Sequence, residues 1–328
     1  MHPAFSVIFL TTLIGAAQGL FLALVTGQVY SVFNLLDPQS TGFYAGGGLL
    51  SLVLLGLGLI AAAFHLGKLE YFITRAWRGM SQWRTSWLSR ELIALPAFMG
   101  LVFLYTVANY LNMTETLFML GGKLAVDSTL LLAVIGAVLA FALFISTAMI
   151  YASVKFMQEW HSPLTVINYT LFGLASGFAL AAAYAASQGV ALVGFFADWA
   201  IIFTLMSAVT RFASLYRNAR IEHKSTVQTA LGIRHSKIKQ RSMGFMGGSF
   251  NTREFFHGAS EGTYNMVRHF FIVAVFIVPV LLLWSASVES AVLPALAFVI
   301  QYLGLMAERW YFFADAKHPQ NLYYQTMS

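Results

Sequence analysis

The sequence predicts an all-α membrane protein of eight transmembrane helices with both termini in the cytoplasm. Of its 328 residues, 59% are hydrophobic and only 10% are charged, whereas soluble domains carry about 25% charged residues. Eight apolar stretches are long enough to cross a bilayer. The chain has 19 Lys and Arg residues. All of them except Lys123 lie in every second gap between these stretches, or at the ends of the spans that border those gaps. Because cytoplasmic loops carry the excess of Lys and Arg, these gaps are predicted to face the cytoplasm.

Each predicted span meets the length that a bilayer requires, since a hydrocarbon core about 30 Å thick needs roughly 20 apolar residues. The first span lacks a basic segment before it and an A-x-A cleavage site, so we expect a retained helix. The whole chain, 1–328, is predicted to be one integral-membrane domain. The spans are predicted near 4–26, 45–66, 92–111, 129–151, 164–186, 190–213, 269–288 and 291–312.

Two of the predicted cytoplasmic loops, 67–91 and 214–268, are candidates for contact with partners. The first interleaves Arg with Trp77, Trp83 and Trp87, a composition typical of a segment lying at the membrane surface. The second is too long for a simple connector and is predicted to dock a soluble protein. The basic charge of these loops is explained by topology and by anionic membrane lipid, so no nucleic acid partner is required.

The absence of cysteine limits the redox chemistry that the chain itself can carry. With Cys 0, the chain holds no disulfide, no c-type haem attachment and no Cys-ligated iron–sulfur cluster. All eight histidines lie at the first residues, in predicted inside loops or at inner span ends, which disfavours a haem held between facing helices. Any electron transfer is therefore expected to use a bound quinone or centres on partner subunits.

His65 and Glu91 are the strongest candidate site residues. The first closes the second predicted span and the second precedes the third, so a helical hairpin can bring both to one level near the inner surface. Ionisable groups at that depth are functional candidates, and a quinone needs hydrogen-bonding groups and a proton-exchanging group. A salt bridge from Glu91 to Arg90 or Arg84 is an equally weighted structural alternative at this point.

Other polar residues in or beside the spans are weaker candidates. Glu308 and Arg309 adjoin at the inner end of the last span and are expected to pair with other charges there. Gln18, Asn168 and Tyr169 are expected to form hydrogen bonds between helices. The residues that we place around the possible quinone site are Arg78, His161, Glu308 and Arg309.

Several segments resemble the membrane-anchor subunit of the dimethyl sulfoxide reductase (DmsC) family. FHLGK and WRTSWLSRE, which contain His65 and Glu91, carry the general resemblance. MIYASVKFMQEWHSPLT (149–165) and AERWYFFADAKHPQNLYYQ (307–325) are similar to one branch, the anchors of quinone-linked sulfite dehydrogenases. The resemblance extends over nearly the whole chain, including the number of spans and the long sixth connection.

The resemblance implies an integral subunit of a three-subunit oxidoreductase in the bacterial cytoplasmic membrane. Molybdopterin would lie in a catalytic subunit, and four iron–sulfur clusters would lie in a ferredoxin-like subunit docked on the cytoplasmic face. The anchor would bind ubiquinone or menaquinone without haem. By position, His65 and Glu91 match the family's quinone-site residues, with Arg90 and Trp87 as neighbours, whereas Leu69 departs from the proline frequent in relatives.

The predicted topology favours oxidation of a cytoplasmic substrate, sulfite, with electrons passing to quinone. An anchor of a reductase for dimethyl sulfoxide or another S- or N-oxide, which oxidises quinol, remains an alternative. A secondary transporter is the alternative of another class. Transporters commonly contain broken helices in corresponding halves and charges at the midplane. Here Pro279 is the main mid-span breaker and the polar groups cluster at the inner edge, which argues against transport.

Overall fold

The computed structural model describes residues 5–65, 77–121, 124–222, 224, 226–235, 237–238, 260–288 and 290–317. The side chain of His65, the segment 66–76 that contains Leu69, and residues 223, 225, 236 and 239–259 of the predicted docking loop lie outside this description. The elements are α1 (Phe5–Val32), α2 (Thr41–His65), α3 (Trp87–Tyr110), β1 (Thr116–Leu120), β2 (Leu124–Asp127), α4 (Ser128–Ala152), α5 (Pro163–Ser187), α6 (Val193–Asn218), α7 (Val227–Leu231), α8 (Glu261–Ile272), a π-helical segment (Val273–Ile277), α9 (Val278–Trp284) and α10 (Val292–Ala314).

Eight helices in the described residues are long and apolar enough to cross a membrane, which confirms the predicted number. Seven are α1 to α6 and α10, and the remaining one runs continuously through α8, the π segment and α9. This span begins at Glu261, eight residues before the predicted 269, so part of the predicted docking loop is helical. The third span begins at Trp87 instead of 92, which places Glu91 one turn inside a helix.

Local sequence signals explain where several spans begin. The Ser86 hydroxyl accepts a hydrogen bond from the Ser89 amide at 3.3 Å and so caps α3. The Asp127 carboxylate caps α4 in the same way, accepting from the Leu130 amide at 2.7 Å. Ser162 precedes α5 and Pro163 occupies its first turn, where a missing N–H costs nothing. Ser, Asp and Pro at these positions are typical helix starts.

The connection between α3 and α4 contains a β-hairpin that the hydropathy pattern does not predict. Strands β1 and β2 pair antiparallel, with Phe118 opposite Val126, and Gly121 at the turn has φ of 58°. A positive φ is favourable for glycine because it has no Cβ. The Ser128 hydroxyl donates to the Met113 carbonyl at 2.6 Å and joins the segment before the hairpin to the start of α4.

Helices α1 and α5 form the centre of the bundle. In each of them 72% of the most apolar stretch is buried, against 28–39% in the other six spans. They cross through two G-x-x-x-G motifs, Gly15/Gly19 on α1 and Gly173/Gly177 on α5. A Cβ on Gly19 would lie 2.8 Å from the Gly173 carbonyl carbon and 2.9 Å from the Gly177 Cα. Small residues at such positions let helix backbones approach closely.

The seventh span is interrupted by the π segment just before Pro279. Proline lacks the N–H that would bond the carbonyl four residues earlier, which is that of Val275. The buried Gln301 side chain on α10 approaches this carbonyl with its amide nitrogen at 3.4 Å, and the same nitrogen donates to Thr204 Oγ1 at 2.9 Å. A neighbouring helix thus supplies the donor that proline removes.

Candidate functional site

Glu91 lies in a polar contact between α3 and α4. Its side chain is half-buried, and its Oε1 accepts a hydrogen bond from the Thr147 hydroxyl at 2.6 Å. Thr147 lies five residues before the end of α4, so the contact is close to the start of α3 and the end of α4. Among the described residues, Glu91 forms no ion pair with Arg90 or Arg84. The alternative prediction of a salt bridge from Glu91 to one of these arginines is therefore wrong.

Glu91 and Arg309 line one small cavity between five spans. Its volume is about 20 Å³, and its walls come from α1, α3, α4, α5 and α10. The polar wall includes hydroxyl, carboxylate, amide and guanidinium groups, so it can hydrogen-bond a polar molecule. The lining residues that bear these groups are Thr11, Thr12, Gln18, Glu91, Thr147, Tyr169, Ser176 and Arg309.

The Arg309 guanidinium is buried and lacks hydrogen bonds to the described residues. Its Cζ lies 3.5 Å from the centre of the Tyr169 ring, a cation–π contact. Its Nε lies 3.6 Å from Glu308 Oε2, which is an ion pair too long for a hydrogen bond. The Tyr169 hydroxyl is also buried without a hydrogen bond of normal geometry to the described residues, although the Tyr151 ring stacks beside it. The Arg309 N–H groups and the Tyr169 hydroxyl can therefore donate hydrogen bonds at the cavity wall.

Glu308 pairs with two arginines, as the sequence predicts for charges at this end of the last span. Glu308 Oε1 lies 2.8 Å from an Arg211 nitrogen, and both side chains are almost fully buried, with exposures of 1% and 3%. The Arg211 guanidinium also lies 5.7 Å from the Phe271 ring centre. A buried carboxylate between two guanidinium groups compensates one of their two positive charges, in a medium that disfavours isolated charge.

The structure separates the remaining predicted site residues from the cavity. Arg90 folds back onto the preceding loop, donating to the Trp83 and Arg84 carbonyls at 2.9 and 3.0 Å, with its guanidinium 3.9 Å from the Trp87 ring centre. Arg78 is exposed beside the Trp77 ring. Neither Arg90 nor Trp87 lines the cavity described above.

Two histidines, His161 and His65, are among the predicted site residues. His161 is exposed, and its Nδ1 lies 2.6 Å from the Ala152 carbonyl, so it closes the end of α4 instead of entering the cavity. The helix α2 ends at His65, but the His65 side chain is outside the described residues. The described residues contain no group of three or more His, Asp or Glu side chains that could hold a metal ion.

The two segments that resemble sulfite dehydrogenase anchors pack against each other at the inner end of the bundle. The Trp160 ring stacks on Phe312 at 5.4 Å and its indole N–H donates to the Phe312 carbonyl at 3.0 Å. Glu159 in the same loop is buried, which raises the pKa of its carboxyl, and Lys317 opposes this shift. The described residues of these segments, 149–165 and 307–317, therefore form one structural unit beside the cavity.

Two of the expected interhelical hydrogen bonds are present. Gln18 donates to the Ala140 carbonyl at 2.8 Å, and Asn168 accepts from the Thr210 hydroxyl at 2.6 Å. Tyr169 instead contributes its ring to Arg309. Thr147 and Arg211 escaped prediction because they are far from Glu91 and Glu308 in sequence. Of these two residues, only Arg211 could have been selected from the sequence, because it is a charged residue inside an apolar span.

Comparison with known proteins covers nearly the whole chain. The family described as DMSO reductase anchor subunit (DmsC) matches residues 1–324. The sulfite dehydrogenase C subunit of Allochromatium vinosum is 56% identical over 329 residues, and the match covers 100% of both chains. This relative thus extends the resemblance from short motifs to the full length. The chain belongs to the DMSO reductase anchor subunit (DmsC) family.

Proposed function

We propose that this chain is the membrane anchor and quinone-binding subunit of a three-subunit molybdenum and iron–sulfur oxidoreductase that oxidises sulfite. The main support is the full-length identity of 56% with a protein named as the C subunit of a sulfite dehydrogenase. The partners that we propose are a catalytic subunit holding molybdopterin and a ferredoxin-like subunit with four iron–sulfur clusters. Neither group belongs to this chain, which has no cysteine to ligate such clusters.

The proposed quinone site lies at the inner end of the bundle, beside Glu91. A bound quinone takes up two electrons and two protons on becoming quinol, so its site needs a group that exchanges protons. Glu91 supplies a carboxyl group that Thr147 orients. The Tyr169 hydroxyl supports this placement, because a buried polar group with no well-formed hydrogen bond to the described residues is rare.

We place the remaining predicted residues around this carboxyl group. His65, at the end of α2, is proposed to bind the quinone opposite Glu91. Arg90 and Trp87 are proposed to form the rim of the site, since they begin the helix that carries Glu91. The cavity of about 20 Å³ is too small for a quinone ring. The ring is therefore proposed to lie at its border, between Glu91 and His65.

We propose that the inner ends of the spans face the cytoplasm in the bacterial inner membrane. The support is the charge distribution, in which Lys and Arg concentrate at one set of span ends. Since the described residues contain an even number of spans, we propose that both termini lie on that side as well. A partner docked on the same side would bring its nearest cluster close to Glu91, and anionic lipid would surround the basic loops.

The first test is the composition and activity of the complex that copurifies with this chain in mild detergent. We expect about one molybdenum with many iron atoms, together with sulfite oxidation coupled to a quinone analogue. A complex that reduces S- or N-oxides with quinol and does not oxidise sulfite would replace the sulfite proposal by its reductase alternative. A metal-free preparation of the chain would contradict the anchor proposal.

The second test is Glu91→Gln, which keeps the shape of the side chain and removes its exchangeable proton. We expect quinone-linked turnover to fall about 100-fold, the scale of general acid–base catalysis. Reduction of a soluble dye by the other subunits should be unchanged. Glu115→Gln is the matched control, because Glu115 is an exposed carboxyl beyond the opposite end of α3. Wild-type quinone-linked turnover in Glu91→Gln would refute this site.

A further inference from the structure

The cavity beside Glu91 has the size and lining of a water site. Its volume of about 20 Å³ exceeds the roughly 10–15 Å³ that one water needs, and it is far smaller than a quinone ring. A buried water requires two to four polar partners. Glu91, Thr147, Tyr169 and Arg309 provide them on four different helices.

The groups around this cavity have hydrogen-bonding capacity left over. Glu91 Oε1 accepts from Thr147, and Glu91 Oε2 accepts from none of the described residues. Arg309 is positively charged and donates no hydrogen bond to the described residues. Burying a guanidinium group without hydrogen bonds is costly, and a polar molecule in the cavity would remove that cost.

Arg309 is held in place by contacts that leave its N–H groups available. The Tyr169 ring covers one face of the guanidinium group at 3.5 Å, and Glu308 compensates its charge at 3.6 Å. Arg211 in turn fixes Glu308 from α6 at 2.8 Å. Among the described residues, Tyr151 on α4 and Tyr169 on α5 lie close enough to both Glu91 and Arg309 to interact with their charges.

We propose that one water molecule in this cavity bridges Glu91 and Arg309 and carries protons to Glu91 during quinone reduction. This inference rests on the proposed quinone site. In the step that we envisage, the Glu91 acid gives its proton to a quinone oxygen as the iron–sulfur subunit supplies electrons. The O–H bond of Glu91 breaks and an O–H bond of the quinol forms, and the step occurs twice for each quinol, once for each of its two protons, with two electrons from the iron–sulfur subunit.

The water then restores the acid form of Glu91. It transfers one proton to the carboxylate and accepts another from the aqueous phase at the inner surface, so it leaves the cycle unchanged. Arg309 takes part as a positioning residue, since it donates to the water oxygen and leaves one water hydrogen directed at Glu91. Arg309 makes no contact with the quinone in this arrangement.

The test begins with a cryo-electron microscopy map of the intact wild-type complex at a resolution that shows ordered water. We expect density within about 2.7–3.2 Å of both a Glu91 carboxylate oxygen and an Arg309 nitrogen. A cavity without such density would overturn the inference, whatever the behaviour of the variants. Because this measurement uses the wild-type protein, it does not depend on whether a substituted chain folds.

Turnover of variants in the same complex provides the functional test. Arg309→Met should lower quinone-linked kcat about 10-fold, which is less than the roughly 100-fold or more expected from loss of the acid–base group itself, while KM for the quinone analogue stays within about twofold. Arg309→Lys, which keeps a charged donor, should recover most of the rate. Lys155→Met is the matched control, because it removes an exposed cation from the loop that follows α4.

The outcomes separate this inference from the proposed function. A large rise in KM with unchanged kcat in Arg309→Met would mean that Arg309 binds the quinone directly, which overturns the water bridge. Normal turnover in Arg309→Met together with an inactive Glu91→Gln would also overturn it, while the quinone site would stand. If Glu91→Gln itself turns over normally, the proposed site fails and the inference fails with it.

Discussion

The crossing of α1 and α5 can be tested by adding one methyl group. In Gly19→Ala the new Cβ would lie 2.8 Å from the Gly173 carbonyl carbon and 2.9 Å from the Gly177 Cα, whereas ordinary contacts begin near 3.4 Å. These atoms belong to backbone, which cannot rotate away as a side chain can. The Gly173 carbonyl oxygen would lie closer still, so the two helices must separate by more than 0.6 Å (3.4 − 2.8) to admit the methyl group.

The cost of this separation follows from packing. Overpacking a close contact typically costs about 1–3 kcal/mol. A gap of 0.5–1 Å also removes about a quarter to a half of each dispersion contact along the crossing. Alanine is the better helix former by about 1 kcal/mol, which offsets part of the loss. We expect a net destabilisation of about 1–2 kcal/mol, because the most buried pair of helices is affected.

Thermal unfolding of the purified chain in detergent measures this effect. Gly100→Ala is the matched control, because a Cβ on Gly100 would meet nothing within 4 Å. We expect Tm to fall by several degrees in Gly19→Ala and to stay level or rise slightly in Gly100→Ala. If both variants melt like the wild type, the two backbones do not cross as closely as described.

Two further predictions concern charge. Glu308→Leu leaves two buried guanidinium groups without their carboxylate and should destabilise the protein by about 3–5 kcal/mol. Chemical unfolding can measure this loss, and an unchanged midpoint relative to the exposed Glu115→Leu would contradict it. Glu159→Gln should raise Tm at pH 8, because burial raises the pKa of this carboxyl and its ionised form is unfavourable. Since the native pKa lies above the ordinary 4.5, wild-type Glu159 becomes protonated as pH falls toward 4.5. The Tm difference should vanish near pH 4, and a difference independent of pH would contradict this explanation.

The spans were predictable because hydropathy over about 20 residues is a strong local signal. The predicted third span begins at 92, later than the observed start of α3, because Arg90 and Glu91 are charged and resemble residues at the membrane surface. Yet Ser86 is a good N-cap, and it begins the helix at Trp87. The start of α8 was also placed too late, although Ser260 caps it in the same manner.

The contacts of the candidate site were only partly predictable. Glu91 could be selected because a carboxyl group near an apolar span is unusual. Its partner Thr147 is 56 residues away, and no periodicity within either helix relates the two positions. The pairing of Glu308 was expected, but its partner Arg211 is 97 residues away (308 − 211) and is fixed only by helix packing.

Each of the two crossing helices contains a G-x-x-x-G motif that is visible in the sequence. Gly15 and Gly19 share one face of α1, as Gly173 and Gly177 share one face of α5. The pattern in apolar segments indicates a helix-packing face. It does not indicate which two of eight helices meet, because each glycine pair could face any neighbour. The central place of α1 and α5 therefore required the structure.

That crossing also constrains how the chain is assembled during synthesis. The surfaces that meet at Gly19 and Gly177 are 158 residues apart (177 − 19), and ribosomes add about 5–20 residues per second. The glycine face of the first helix is therefore made roughly 8–30 s before its partner has entered the membrane. During that interval lipid or an insertion factor must occupy the groove, and the fifth helix must displace it. One of the two most buried helices of the finished protein is thus inserted first and meets its central partner only after four further helices have been made.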